Sequence, residues 1–339
     1  MAAVAKQTNS TRRAAVVFNP TKNGVDELRT AVASAETKHG WAPSLWIATE
    51  AHDPGRAATI EALEAQVDLV IAAGGDGTVR TVAGALAERP ADQPTPLAIV
   101  PIGTGNLLAR TLELPLGNHA AALKIAFGAR VQPIDLIEVT GDRGQTEPSV
   151  VLSGIGGDAA MIDATSDQLK ARVGWIAYLD GLVRALPKLR PFAVRIAVDG
   201  RPAQRHKLSA VMFANLTDLP GNVSLAAHSS ISDGRLDLII VQPRHIFDWL
   251  WVWRRFSWEN AVLRRTTSGS KLADRLKGRN RSQVVHVQCR EVEIWIDEEP
   301  APTQVDGDAI GSFAHLRVQM VEHAIRVKAP KPTTRSSAS

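Results

Sequence analysis

Four apolar runs lie within the first 103 residues, and each ends on polar residues or glycine: AAVVFNP (14–20), PSLWIAT (43–49), VDLVIAA (67–73) and PLAIVPIG (96–103). Stretches of helical length separate them, at about 24–39, 54–65 and from the glycines at 74–77 to Glu88. A strand that is apolar throughout is buried on both faces, as happens when helices cover both sides of a parallel sheet. This alternation predicts a doubly wound parallel α/β domain over residues 13–133.

From 134 to 328 the pattern changes. PIDLIEVT, PSVVLSGIG, PFAVRIAVDG, KLSAVMFANL, RLDLIIVQ, VVHVQCREVEIWID and HLRVQMVEHAIRVK read as strands, with helical insertions at about 157–188 and 245–280. Many strands with few helices between them predict an antiparallel β-sandwich as the second domain. The last stretch, 329–339, is expected to be disordered. A length of 339 residues is enough for two cores. The single cysteine, Cys289, excludes an intramolecular disulfide, and its strand-like setting makes it a core residue. No apolar run approaches the roughly 20 residues that span a bilayer, and the N-terminus carries no signal-like apolar segment. The expected location is cytoplasmic.

In open α/β sheets ligands bind beyond the carboxyl ends of the strands. Four polar features fall there: Asn19, Thr49, the turn GGDGT (74–78) and the turn GTGN (103–106). Glycines admit positive φ and let the backbone approach a phosphate closely, and the following helix N-terminus supplies N–H donors. Asp76 would repel a phosphate directly, so it bridges through metal or water, or orients the backbone. Thr78 and Thr104 are placed to cap their helices or to bond a nucleotide. Either glycine turn alone reads as a tight turn; two at successive strand ends point to an anion site. No G-x-x-x-x-G-K-[ST] motif is present, and no G-x-G-x-x-G follows the first strand, which disfavours a P-loop and a Rossmann dinucleotide site.

FNPTKN, GGDGTVRTVAGAL, PIGTGNLLAR, DGRLDLIIV and VDGD, in this order, resemble the diacylglycerol kinase catalytic-domain family of soluble lipid kinases, sphingosine kinases and ceramide kinases. The resemblance covers about 13–328 and implies a nucleotide domain and a β-sandwich with the active site between them. It implies an ATP site from Asn19, Pro20, Thr21, Lys22, Asn23 and Thr49, with the phosphates held by Gly74, Gly75, Asp76, Gly77 and Thr78 and by Gly103, Thr104, Gly105 and Asn106. In SSISDGRLDL it implies a structural Mg²⁺ held by the Asp233 side chain and the carbonyls of Ser230 and Arg235, a hard-cation donor set. A plain Asp-Gly turn is the competing reading.

A lipid hydroxyl needs a carboxylate to take its proton. The family carries this base at D-G-E; here it is D-G-D, with Asp308 as first choice for the acceptor and Asp306 orienting it or the metal. Three positions depart from the family's pattern. Asp308 is one methylene shorter than glutamate. Arg80 stands where asparagine is frequent and faces either phosphate or solvent. Leu107 replaces an aspartate of a metal-and-water network, so any such network must use carboxylates such as Asp76 and Asp135. The activity implied is ATP- and Mg²⁺-dependent phosphorylation of a lipid hydroxyl, diacylglycerol to phosphatidic acid. The alternatives are a sphingoid-base or related lipid kinase, an NAD kinase, and a nucleotide-binding pseudokinase that senses or scaffolds lipids.

The net charge is +4, but residues 244–282 hold ten Lys/Arg against three Asp/Glu, a local +7 that leaves the remainder at 4 − 7 = −3. The same segment holds four of the eight tryptophans. Tryptophan with Arg/Lys suits a lipid–water interface, so peripheral membrane contact is expected there. Packing into the sandwich or into a homodimer contact is the competing use. Nucleic acid is not expected, because the aromatics are clustered rather than spaced along strands.

Overall fold

A computed structural model describes residues 11–22, 24–90, 94–156, 191–216, 230–242 and 284–330. The expected helical insertions, the 244–282 segment, Asn23 and residues 331–339 lie outside the described residues.

The first part runs β1 (Arg13–Phe18), α1 (Val25–His39), β2 (Ala42–Ala48), α2 (Arg56–Glu64), β3 (Leu69–Gly74), α3 (Asp76–Ala87), β4 (Leu97–Pro101), α4 (Leu107–Thr111) and α5 (His119–Gly128). The strands lie in the order β2-β1-β3-β4, all parallel. Strand side chains alternate between two cores. Ala14, Val16, Leu69, Ile71, Ala98 and Val100 pack under α1 and α5. Ala15, Val17, Val70, Ala72, Leu97 and Ile99 pack under α2, α3 and α4. This double burial is what the unbroken apolar runs encode. Helix α5 was not legible in the sequence. HAAALKIAFG is apolar nearly all round, so it carries little helical periodicity; its one clear signal is Asn118, whose Oδ1 accepts from Ala121 N at 3.0 Å as an N-cap.

The second part contains β5 (Val131–Gly141), β6 (Thr146–Ser149), β7 (Leu152–Ile155), β8 (Phe192–Val198), β9 (Gln204–Leu208), β10 (Ala210–Ala214), β11 (Leu236–Val241), β12 (Val284–Cys289), β13 (Glu291–Ile296), β14 (Ala301–Val305), β15 (Asp308–Phe313) and β16 (His315–Lys328). One six-stranded antiparallel sheet has the order β12-β11-β10-β7-β14-β15. It packs against the β5, β8, β13 and β16 region through Phe213, Leu236, Leu238, Val292, Leu316 and Val318. Cys289 lies in this core, fully buried, and burial pushes its thiol up to about 12.

Three runs that read as single strands are each divided between sheets. PSVVLSGIG splits into β6 and β7, KLSAVMFANL breaks at Ser209 into β9 and β10, and VVHVQCREVEIWI breaks at Arg290 into β12 and β13. The hairpin β14–β15 was legible only as its Asp-Gly turn. Strand β16 pairs antiparallel with β5 and β13 and touches β4 in parallel at Val327–Leu97. The nucleotide sheet and half of the sandwich are thereby one ten-stranded sheet. Helix α3 packs on β6 so closely that a Cβ on Gly84 would lie 2.5 Å from Pro148 Cγ. The sandwich is thereby packed on the side of α3.

Candidate active site

The strand order reverses direction between β1 and β3, so the ligand crevice of an open α/β sheet opens at their carboxyl ends. Asn19 follows β1. Its Oδ1 accepts from Thr21 N at 2.9 Å and Thr21 Oγ1 at 2.7 Å, which folds Asn19–Lys22 into a tight turn with Pro20 and Lys22 exposed. Thr49 follows β2, is buried, and donates its N–H to Phe18 O at 2.9 Å.

Beyond β3, the GGDGT turn becomes the first turn of α3. The first intrahelical donor is Val79 N, to Gly75 O, so the N–H groups before it have no helical acceptor. That leaves an anion-binding N-terminus on a 12-residue helix. GTGN runs directly beside it. A Cβ on Gly103 would lie 2.5 Å from Gly75 Cα, and one on Gly105 would collide with the Asp76 carboxylate. A Cβ on Gly74 would lie 2.6 Å from Thr78 Cβ. None of Gly74, Gly75, Gly77, Gly103 or Gly105 has positive φ. At Gly74, Gly103 and Gly105 close approach, rather than left-handed backbone, is the reason the position carries no side chain. The one left-handed residue in the pair of turns is Asn106, at φ 49, whose Nδ2 donates to Gly103 O.

Asp76 takes the orienting role of the two open in the sequence. Its Oδ2 accepts from Asn106 N at 2.8 Å and its Oδ1 from Leu107 N at 2.5 Å, so the carboxylate of one glycine turn anchors the main chain of the other. Burial pushes its pKa up to about 6; the two N–H bonds oppose this, and the charges of Asp306 and Asp308 add to it. Neither α3 nor α4 has a side-chain cap bond, so Thr78 and Thr104 do not cap. Thr104 is exposed beside the crevice and Thr78 is buried against Gly74. Leu107 is buried in the core and has no ligating atom.

The D-G-D turn separates its two carboxylates by role. Asp306 is buried in a cage of donors: Oδ1 accepts from Ser149 Oγ (3.1 Å), Val151 N (2.9 Å) and Leu152 N (2.9 Å), and Oδ2 from Val150 N (2.8 Å). Burial pushes its pKa up, against those main-chain bonds and the nearby charge of Arg80. Asp306 and Gly307 both have positive φ, 47° and 91°, as the tight reversal requires. Asp306 thus fixes the turn. Asp308 projects from it, with 47% of its side chain exposed, and its Oδ2 lies 3.1 Å from where a Gly77 Cβ would sit. A sandwich carboxylate therefore touches the glycine turn at the head of α3.

Arg80 does not face solvent. Its side chain is 9% exposed, and the guanidinium bonds Asp308 Oδ2 at 3.0 Å and Glu147 Oε2 at 3.2 Å. Glu147 was not singled out in the sequence, where nothing ties a β6 residue to a helix 67 positions away. Asp135 does not join Asp76. It is fully buried, its Oδ2 accepts from Gly234 N and its Oδ1 from His323 N, both at 2.7 Å. It belongs to the 230–235 loop. There the Asp233 carboxylate accepts from Ser230 N at 3.0 Å and Arg235 N at 2.9 Å. Ser230 and Arg235 thus meet Asp233 through their N–H groups, the bonds of a closed turn, and each Asp233 oxygen keeps a further lone pair. Among the described residues no cluster of three or more His, Cys, Asp or Glu is arranged for a metal, and no helix is long and apolar enough to cross a membrane.

The family model described as diacylglycerol kinase catalytic domain matches residues 13–139, and that described as YegS C-terminal NAD kinase beta sandwich-like domain matches 149–257. The chain thus joins an α/β domain of the kinase catalytic-domain type to a matched β-sandwich domain. A diacylglycerol kinase of Bacillus subtilis is 28% identical over 327 residues, 94% of this chain and 97% of the relative. One from Staphylococcus aureus is 30% identical over 244 residues, 69% of this chain and 72% of the relative. The crystal structure of a candidate diacylglycerol kinase from Bacillus anthracis superposes with a TM-score of 0.71 at 24% identity, covering 94% of this chain and 97% of that one. The chain belongs to the diacylglycerol kinase catalytic-domain family.

Proposed function

We propose that this protein transfers the γ-phosphoryl group of ATP to the hydroxyl of a membrane lipid, with diacylglycerol as substrate and phosphatidic acid as product. The observation that carries the reading is Asp308, a half-exposed carboxylate from the sandwich set against Gly77 of the phosphate-binding turn. The phosphates of ATP take the N–H groups at the head of α3, and the Asn19 and GTGN turns flank them. Asp308 accepts the proton of the lipid hydroxyl as its oxygen bonds the γ-phosphorus; the bond to the β–γ bridging oxygen breaks and ADP leaves. Asp306 holds the turn and Asp76 holds the two glycine turns together. Mg²⁺ supplies charge neutralisation at the phosphates when bound, and the Asp233 loop, with the Ser230 and Arg235 carbonyls, is the proposed structural ion site. Delivery of the lipid from a bilayer through 244–282, outside the described residues, belongs to the same reading. An NAD kinase reading has only a distant likeness of fold in its favour.

The test is transfer of radiolabel from ATP to diacylglycerol, sphingosine and NAD in parallel, with wild type, Asp308→Asn and Asp308→Glu. Label should go to diacylglycerol. Asp308→Asn should lower kcat by about 10² to 10⁴-fold with ATP binding retained, and Asp308→Glu should keep activity. Equal turnover by the Asn variant removes Asp308 as the base; label in sphingosine or NAD alone replaces the substrate.

A further inference from the structure

Arg80 is buried, charged and joined to both halves of the molecule, and the steps described so far give it no task. It lies on α3, while its partners lie on β6 (Glu147) and at the start of β15 (Asp308). The burial is asymmetric: the Arg80 side chain is 9% exposed, whereas those of Asp308 and Glu147 are 47% and 41% exposed. Its Nε is buried without a partner among the described residues. A guanidinium sunk between two wet carboxylates loses hydration that ion pairs of this exposure do not fully restore, so stability is a poor account of the arrangement. Geometry is a better one.

The donor cage on Asp306 fixes the backbone of the D-G-D turn, but it leaves the Asp308 side chain free to rotate. A carboxylate exposed to this degree samples several rotamers unless something holds it. The bond from Arg80 to Oδ2 is the only side-chain hydrogen bond of Asp308 among the described residues, and it holds that oxygen beside Gly77. Glu147 holds the guanidinium from the other side. The planar fork of arginine can satisfy both carboxylates at once, which a single ammonium does less well. Oδ1 is then presented to the incoming hydroxyl.

We propose that Arg80 is a positioning residue. Resting on the reading of Asp308 as the base, it locks that carboxylate over the phosphate-binding turn, with Glu147 as its brace. Arg80 touches neither substrate in this account and acts only through Asp308.

The experiment measures kcat, both KM values, ATP binding and Tm for Arg80→Gln, Arg80→Lys and Glu147→Gln, and repeats Arg80→Gln in an Asp308→Asn background under single-turnover conditions. Misplacing a catalytic group by about 1 Å costs on the order of 10²-fold, so Arg80→Gln should lower kcat by about 10- to 100-fold. Both KM values and the ATP Kd should stay near wild type. Arg80→Lys should fall between, and Glu147→Gln should show a smaller loss of the same kind. In the Asp308→Asn background Arg80→Gln should cost nothing further, because the group it positions is gone. If Asp308→Asn is inactive while Arg80→Gln turns over normally, this proposal fails and the base stands. If Asp308→Asn turns over normally, the base fails and this proposal with it. A rise confined to ATP KM would assign Arg80 to phosphate binding, and an equal loss in both backgrounds would assign it to the fold; either overturns positioning. Should Arg80→Gln fail to fold, Glu147→Gln, which keeps Arg80 and Asp308 in place, decides: kcat lowered at unchanged Tm supports the proposal, and unchanged kcat overturns it.

Discussion

Replacing Asp306 by alanine should unfold the protein more easily than any change at Asp308, although the two residues flank one glycine. The magnitude follows from the donor cage. Without the carboxylate, three main-chain N–H groups, of Val150, Val151 and Leu152, lose their acceptor in a buried setting. Each orphaned donor costs about 1–3 kcal/mol. Alanine at a left-handed φ of 47° adds about 1 kcal/mol of backbone strain. Against this, the variant no longer desolvates a carboxylate whose pKa burial has pushed up. A net loss of about 4 kcal/mol is expected, or roughly 10 °C in Tm for a chain of this size. Asp308→Ala removes one of the two partners of the buried Arg80, which keeps Glu147, and should cost about 1.5–3 kcal/mol. Asp306→Asn should fall between: its amide oxygen can serve the three donors on the Oδ1 side, and its NH₂ then faces Val150 N. Thermal and urea unfolding of the three variants, read beside single-turnover phosphoryl transfer, check the division. If Asp306→Ala melts within about 2 °C of wild type, or Asp308→Ala costs more, then the cage does not hold the turn and the roles assigned to the two carboxylates are wrong.

Gly103→Ala should weaken ATP binding at least about tenfold, because its Cβ meets Gly75 main chain, which no rotamer change relieves; unchanged affinity by titration calorimetry counts against the paired-turn site. The Asp76 pKa of about 6 lies above the ordinary aspartate value of 3.8, so the folded state holds that proton more tightly. Its contribution to stability, about 3 kcal/mol, is then full below pH ~4 and lost as pH rises through ~6. The stability of wild type relative to Asp76→Ala should fall by that amount across the window, and a pH-independent difference would refute it. Mg²⁺ should raise the Tm of wild type and not that of Asp233→Ala; an equal rise in both rules the 230–235 loop out as an ion site.

The parallel half was legible because burial on both faces leaves a signature in single strands: Leu69 to Ala73 is apolar at every position and buried at every position. The glycine turns were legible for a related reason, since backbone contact at Gly75–Gly103 permits only glycine. Distance in sequence hid the rest. Asp306 is held by residues 154–157 positions upstream, three of which contribute only main-chain N–H groups and are chosen by burial rather than by polar chemistry. Arg80 meets a carboxylate 228 positions away, so its sequence neighbourhood could offer only phosphate or solvent as partners. The split of PSVVLSGIG between two sheets was hidden because both halves are apolar and the break carries no glycine or proline.

That split is also what brings the site together. Strand β6 stays with β5 in the large sheet and presents Pro148 to Gly84 of α3, while β7 crosses to the small sheet beside β14. The chain between them, Val150 and Val151, must turn from one sheet to the other, and its N–H groups are freed from both ladders at that point. The same N–H groups are the ones Asp306 accepts. The donors orphaned by the sheet-to-sheet crossing and the carboxylate that fixes the D-G-D turn thus solve each other's burial problem. The turn that it anchors places Asp308 beside Gly77 at the head of α3. Asp308 reaches Gly77 with an aspartate's length because the sandwich is joined to the nucleotide sheet through β16 and pressed on α3 through Pro148, rather than hinged at a linker. For the proposed base, a side chain with one fewer rotor, held by the Arg80 bond, loses less conformational freedom on being fixed there than a glutamate would.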